Sequence, residues 1–388
     1  MEKTWRWFGR NDRITLEMLR QIGVEGIVTA LHDIPGGEVW SVEAIEDLKR
    51  FIEAAGLRWS VVESLPVSEP IKYGGPERDA LIDNYIQSLA NLGKCGIKTV
   101  CYNFMPVIDW IRTDLEHRWP DGTTSLYFDM AEFAWFDLHV LGRKGDYSPE
   151  VLARVEKLEA DATQEDRQRL VENIIVKTQG FVNGNISGKE ADPVGVFKGL
   201  LSQYEGITRD DLRENLRYFL SAVIPVCDEY DVHLCVHPDD PPMPVLGLPR
   251  IVSTADDIEW FLQTVDNPHN GLTFCAGSLS AGADNDAVAM ARRFASRTRF
   301  VHLRSCDILP GGNFIEAPHT AGRAHLVELI RIFEKENPGL PMRVDHGKNM
   351  LGDTGYNPGY SFHGRMLALG QVDGMMAAVR DEIKQSMI

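Results

Sequence analysis

Four residues, His237, Cys275, His302 and Asp345, each close a short apolar run of β-strand type, in HLCVHP, GLTFCAG, RFVHLRS and MRVDHG. Strand side chains alternate between two faces, so four such strand ends converge on one point only when their strands lie side by side. Two nitrogens, one thiolate and one carboxylate form a donor set for a divalent transition ion such as Mn, Fe, Co or Zn, and are too soft for Mg or Ca. Taken singly, His237 reads as a hydrogen-bonded core histidine and Cys275 as an inert buried thiol. Asp345 tips the balance, because a charge at the end of an apolar strand needs a partner and a cation supplies one. Asp239 and Asp240 follow His237 closely enough to serve as acceptors that orient its ring.

Further polar groups surround this set. His346 follows Asp345 directly and is a candidate acid or base beside the metal. The stretch TGYNPGYSFHGR places Tyr356, Tyr360, His363 and Arg365 on the next loop, where a tyrosine can donate a proton or bind a hydroxyl. Arg6, Arg10, Arg304 and Arg343 stand near strand ends and could supply the local positive cluster that a small acid requires. The GGN turn at Gly311 and Gly312 lacks a GxGxxG or GxxxxGK[ST] pattern, so it is expected to turn the chain after the seventh strand.

The elements that would position these residues follow from periodicity. Eight β-type runs occur at 4–9, 26–31, 58–64, 99–104, 233–238, 272–277, 299–304 and 342–347. Between most of them lies a segment of helical spacing, with Ser or Thr at two starts and glycine after several ends. Strand and helix in strict alternation predict a single-domain (β/α)8 barrel over residues 1–388, with each crossover helix joining parallel neighbours. About 128 residues separate the fourth and fifth runs, where roughly 30 would suffice. A helical insertion over about 107–200 is therefore expected over or beside the catalytic face, as a cover for the site or a contact between subunits.

Composition narrows the partners. With 40 basic and 57 acidic residues the formal charge is −17, which argues against nucleic acid and against an anionic membrane. No apolar run approaches the roughly 20 residues that span a bilayer. The opening MEKTWRWFGRND lacks an apolar signal core, and six scattered cysteines form no CxxC pair, so a cytoplasmic protein with reduced thiols is expected.

Several of these motifs together resemble one family. TWRWFGRND, SLP at 64–66, YNFMPVIDWIRTDL at 102–115, VHPDDPP at 236–242, FCAGSL at 274–279, FVHLR at 300–304 and RVDHG at 343–347 are similar to the mannonate dehydratases of bacterial hexuronate catabolism. These are metal-dependent barrels related to xylose isomerase, and the likeness runs through essentially the whole chain. It implies dehydration of D-mannonate to 2-keto-3-deoxy-D-gluconate, with Mn2+ or Fe2+ on His237, Cys275, His302 and Asp345. It also implies acid–base roles for His346 and Tyr360, and Arg6, Arg304, Asn103 and His363 are the expected substrate-binding residues. The chain carries the longer of the family's connections between the fourth and fifth strands, with 143–180 as the extra part, and a homo-oligomer is expected. Two alternatives stand beside this reading: a xylose-isomerase-like aldose–ketose isomerase, and a non-catalytic metal-dependent sugar-acid binding protein. Cys275 weighs against the isomerase, which usually relies on carboxylates bridging two metals.

Overall fold

Each of the eight β-type runs supplies one strand of a closed parallel barrel in the computed structural model, which describes residues 1–182 and 190–386. We number the strands β1 (Glu2–Arg6), β2 (Gly26–Thr29), β3 (Arg58–Glu63), β4 (Thr99–Tyr102), β5 (Asp114–Arg118), β6 (Thr124–Phe128), β7 (His233–Val236), β8 (Asn270–Cys275), β9 (Thr298–His302), β10 (Ser305–Leu309), β11 (Asn313–Ala317) and β12 (Pro341–Arg343). The barrel runs β1-β12-β9-β8-β7-β4-β3-β2. The strands that carry the four candidate ligands, β7, β8, β9 and β12, are therefore consecutive neighbours.

These strands are apolar because both faces are covered, as parallel sheets require. Val28, Val61, Cys101, Cys235 and Phe300 fill the barrel interior, while a larger core packs the outer faces against the helices. The crossover helices begin where capping residues stop the extended chain. Ser41 Oγ accepts from the Ala44 N–H at 3.2 Å ahead of Val42–Ala54, and Thr254 with Asp257 forms a capping box ahead of Ala255–Thr264. Among the described residues no helix is long and apolar enough to cross a membrane.

The segment 107–200 contains helices, as its spacing predicts, among them Met130–Trp135, Pro149–Asp161 and Gln164–Val171. Its part at 183–189 lies outside the described residues. It also contains the hairpin β5–β6, which the periodicity did not predict. This hairpin joins a second one, β10–β11, built around the Gly311–Gly312 turn, to form an antiparallel sheet in the order β10-β11-β6-β5. Phe128 and Phe314 stack across the seam at 5.1 Å between ring centroids. A separate apolar core, with Phe133, Ile174, Phe197, Val245, Leu246, Ala281 and Phe314, fastens the segment to the loops that follow β7, β8 and β9.

Candidate metal centre and active site

Cys275 and His302 are the last residues of β8 and β9 and sit opposite each other in register, while His237 lies one residue beyond β7. One donor atom from each of these three lies within 4.8 Å of the other two. Asp345 stands two residues beyond β12, with Oδ2 3.7 Å from Cys275 Sγ and 3.7 Å from His302 Nδ1. Its backbone takes a left-handed φ of +58°, which breaks the pleat. That turn lets Asp345 and His346, which alternation would send to opposite faces, both line one cleft.

The rings are set for ligation. His237 Nδ1 lies 2.7 Å from the Pro238 carbonyl, which can only accept, so Nε2 is left for the cluster. His302 Nδ1 is buried with no hydrogen-bond partner, and Nε2 lies 3.3 Å from Glu63 Oε1. Arg343 Nε also donates toward Nε2 at 3.2 Å, so Glu63 and Arg343 together hold the ring by Nε2 and leave Nδ1 facing the cluster. Burial pushes the Cys275 thiol up, but the Arg304 guanidinium and His237 outweigh it and hold the group well below its ordinary range. For His237 burial acts downward, and its thiolate neighbour more than reverses this, raising it to about 9. A thiolate, two imidazoles and a carboxylate around an unpartnered nitrogen suit a divalent Mn, Fe, Co or Zn ion. Another grouping, Asp231, His233 and His269, lies at the opposite end of β7, where His269 already bridges Asp228 at 2.8 Å and Asp231 at 3.2 Å.

Beside the centre stand His346 and Tyr360, both buried, with their rings edge to face at 5.0 Å. Burial raises the Tyr360 phenol above its ordinary value, so it carries its proton at neutral pH. His346 Nδ1 lies 2.9 and 3.1 Å from the two oxygens of Glu316 on β11. Carboxylate oxygens can only accept, so the Nδ1 proton is fixed there and Nε2 is the atom available for proton transfer. Replacing Glu316 with Gln should lower turnover by about 10- to 100-fold with bound metal retained, as for other groups that orient a functional histidine. Paired kcat and metal-content measurements check this, and an unaltered kcat would remove the positioning role.

Arginines and carboxylates form a buried lattice around these groups. Arg304 Nε donates to Asp345 Oδ2 at 2.7 Å, Nη1 to Glu316 Oε1 at 2.6 Å and Nη2 to Asp240 Oδ2 at 2.9 Å. Arg112, from the inserted segment, bonds Asp240 at 2.8 Å and Glu316 at 2.8 Å. Arg343 bonds Glu63 at 2.9 Å and also pairs with Asp345. Arg6 pairs with Glu63 at 3.2 Å, while its Nε is buried without a hydrogen-bond partner.

The cleft is lined by Arg6, Asn103, His237, Arg304, Asp345, His346 and Tyr360 among others. The structure does not bring His363 there: its side chain is 46% exposed and its Nδ1 is bonded to Asp353 at 2.9 Å. Arg304, expected to bind substrate, has every nitrogen committed to protein partners. Asp239 and Asp240 do not orient His237. Asp239 accepts from the Val252 N–H and the Ser253 hydroxyl, Asp240 holds two arginines, and the Pro238 carbonyl takes the expected role. Arg10 lies outside the cleft on Asp47. Glu63, Arg112 and Glu316 were not anticipated, although Glu63 ends an apolar strand just as the candidate ligands do.

A parallel barrel with clustered N, S and O donors at its strand ends, and a histidine–tyrosine pair beside them, is the architecture of an enzyme site in which groups able to hold a metal stand next to groups able to move protons. The chain belongs to the D-mannonate dehydratase (UxuA) family, whose profile matches residues 1–386. Its relatives include the mannonate dehydratases of Marinomonas sp. (strain MWYL1), 47% identical with 99% of this chain and all of that protein covered, and of Chromohalobacter salexigens, 44% identical with 98% and 99% covered. The crystal structure of mannonate dehydratase from Streptococcus suis serotype 2 superposes with a TM-score of 0.80 at 34% identity, covering 99% of this chain and 96% of that one. A D-psicose 3-epimerase structure, at 9% identity and a TM-score of 0.52, shares the fold alone. Membership in a family of hydro-lyases sets aside the isomerase and the non-catalytic binding readings.

Proposed function

We propose that this protein performs the metal-dependent dehydration of D-mannonate to 2-keto-3-deoxy-D-gluconate and water, in hexuronate (glucuronate) catabolism. The observation that carries the reading is the cluster of His237, Cys275, His302 and Asp345 donors, which meets through His237 and Asp345 the cleft that His346 and Tyr360 line. Mn2+ or Fe2+ would be held by those four residues, and the ion supplies positive charge against the negative charge that develops beside the substrate carboxylate. The protein's own groups handle the protons. One of His346 and Tyr360 takes the proton from C2, the other gives a proton to the hydroxyl leaving C3, and the enol tautomerises to the 2-keto acid without electron transfer.

Arg6, with an uncommitted Nε at the cleft wall, and Asn103 are suited to the substrate carboxylate and a hydroxyl. Six free, buried cysteines are in keeping with a cytoplasmic setting. Met350 and Leu351, exposed in the loop after β12, are in keeping with assembly of like subunits. The test is metal-stripped protein reconstituted with Mn2+ or Fe2+ and given D-mannonate, then its C2 epimer D-gluconate. Metal-dependent formation of 2-keto acid from D-mannonate is expected, and no product from either acid with either metal would sink the assignment.

A further inference from the structure

Four carboxylates line the cleft, and three of them are tied to arginine. Glu63 pairs with Arg343 at 2.9 Å, Asp240 with Arg112 at 2.8 Å and Asp345 with Arg304 at 2.7 Å. The fourth, Asp109, has no Arg, Lys or His nitrogen within ion-pair distance and no hydrogen bond to its carboxylate among the described residues. Burial pushes its carboxyl above the ordinary value, and His237 offsets this only in part. The residue is partly buried, and no protein group among the described residues replaces the water its carboxyl has lost.

The residue is nonetheless held firmly. The Asp109 N–H donates to Gln179 Oε1 at 3.1 Å, and Gln179 Nε2 donates to the adjoining Trp110 carbonyl at 2.9 Å. A buried glutamine from the inserted segment thus clamps the backbone on both sides, and the side chain alone is left open to the cleft.

We propose that Asp109 receives a hydroxyl of the substrate's polyol chain, and that with Arg6 it decides which end of the sugar acid faces which wall. This rests on the dehydration reading above. The sugar acid brings one carboxylate and several hydroxyls. Its carboxylate is repelled by Asp109 and attracted to Arg6, whereas a hydroxyl can donate to Asp109 and satisfy it. A site built around such a bond also discriminates strongly against a substrate lacking that hydroxyl, because the protein group is then left unpaired.

The test compares wild type, Asp109→Ala and Asp109→Asn on D-mannonate and on its 4-, 5- and 6-deoxy analogues, with bound metal quantified in each protein. Asp109→Ala should lose about 10- to 100-fold in kcat/KM on D-mannonate at unaltered metal content, and Asp109→Asn less, since an amide still accepts from a hydroxyl. On one deoxy analogue wild type and Asp109→Ala should become equal. Unchanged kcat/KM in Asp109→Ala, an equal loss on every analogue, or a loss of metal would overturn the proposal. Wild type inactive on D-mannonate would overturn the dehydration reading as well, so the two failures are told apart by the wild-type arm.

Discussion

Asparagine in place of His346 is expected to lower kcat by about 10²- to 10⁴-fold, the range for loss of a positioned acid or base, with bound metal retained. Glu316 holds the imidazole, its oxygens lying 2.9 and 3.1 Å from Nδ1, and leaves the other nitrogen for the cleft. Asparagine is polar enough for the buried position but has no group that exchanges a proton near neutral pH. Tyr360→Phe makes the companion variant. It keeps the ring that packs edge-on to Phe8 at 5.1 Å and under the Arg365 guanidinium at 5.1 Å, and removes only the hydroxyl. If the two act in one proton relay, the double variant should be little slower than the slower single one. Steady-state kinetics with metal analysis reads all three. Retention of more than a tenth of the wild-type kcat in His346→Asn would sink the acid–base role.

Methionine at Arg304 is expected to destabilise the fold by about 3–5 kcal/mol, the cost of stranding buried charges whose partner is removed. The side chain is 2% exposed and holds Asp345, Glu316 and Asp240 together. Lysine should not rescue it, because one ammonium cannot reproduce the planar fork that meets three carboxylates. Gly277 belongs to the same structure: a Cβ there would lie 2.4 Å from Arg304 Nε, so Gly277→Ala should disturb the lattice from the other side. Acid should act on it too. Burial pushes Glu316 up, but Arg304, His346 and Arg112 hold it down to about 2. A carboxyl depressed in the folded state contributes stability above its unfolded value of about 4.3 and loses it as pH falls toward 2. Urea midpoints at pH 7 and pH 3 should therefore separate strongly in wild type and less in Arg304→Met. An unchanged midpoint in Arg304→Met at pH 7 would contradict the account.

The barrel was legible because its strands are covered on both faces and so are written as continuous apolar runs, while the crossover helices are amphipathic and capped. The hairpins were not. Asp114–Arg118 reads as polar, and its signal is a single turn, Pro120-Asp121-Gly122, in which Gly122 adopts a positive φ and Asp121 accepts from the Thr123 N–H. Flanked by Thr124–Phe128, that turn is a hairpin mark of modest strength. The candidate ligands were legible for the opposite reason to the strands, as polar residues where apolar ones are the rule. Glu63 carries the same mark and escaped notice because only Ser64, and no second charged or imidazole group, follows it at the strand end. Arg112 and Glu316 are invisible to such reading, since 204 residues separate partners that meet at 2.8 Å. His363 was misplaced because a loop assigned to the correct face still turns its side chains by local bonds, here to Asp353.

The sheet β10-β11-β6-β5 welds the inserted segment to the connection after β9, and Glu316 rides on its inner strand. The two segments thus behave as one inheritable unit. Grafting the long connection between β4 and β7 from one relative into another would strip β6 of its partner and leave His346 without its support, unless residues 305–317 travel with it. Chimeras that exchange both segments together should keep their chemistry, whereas those exchanging one alone should fold around a misaligned histidine.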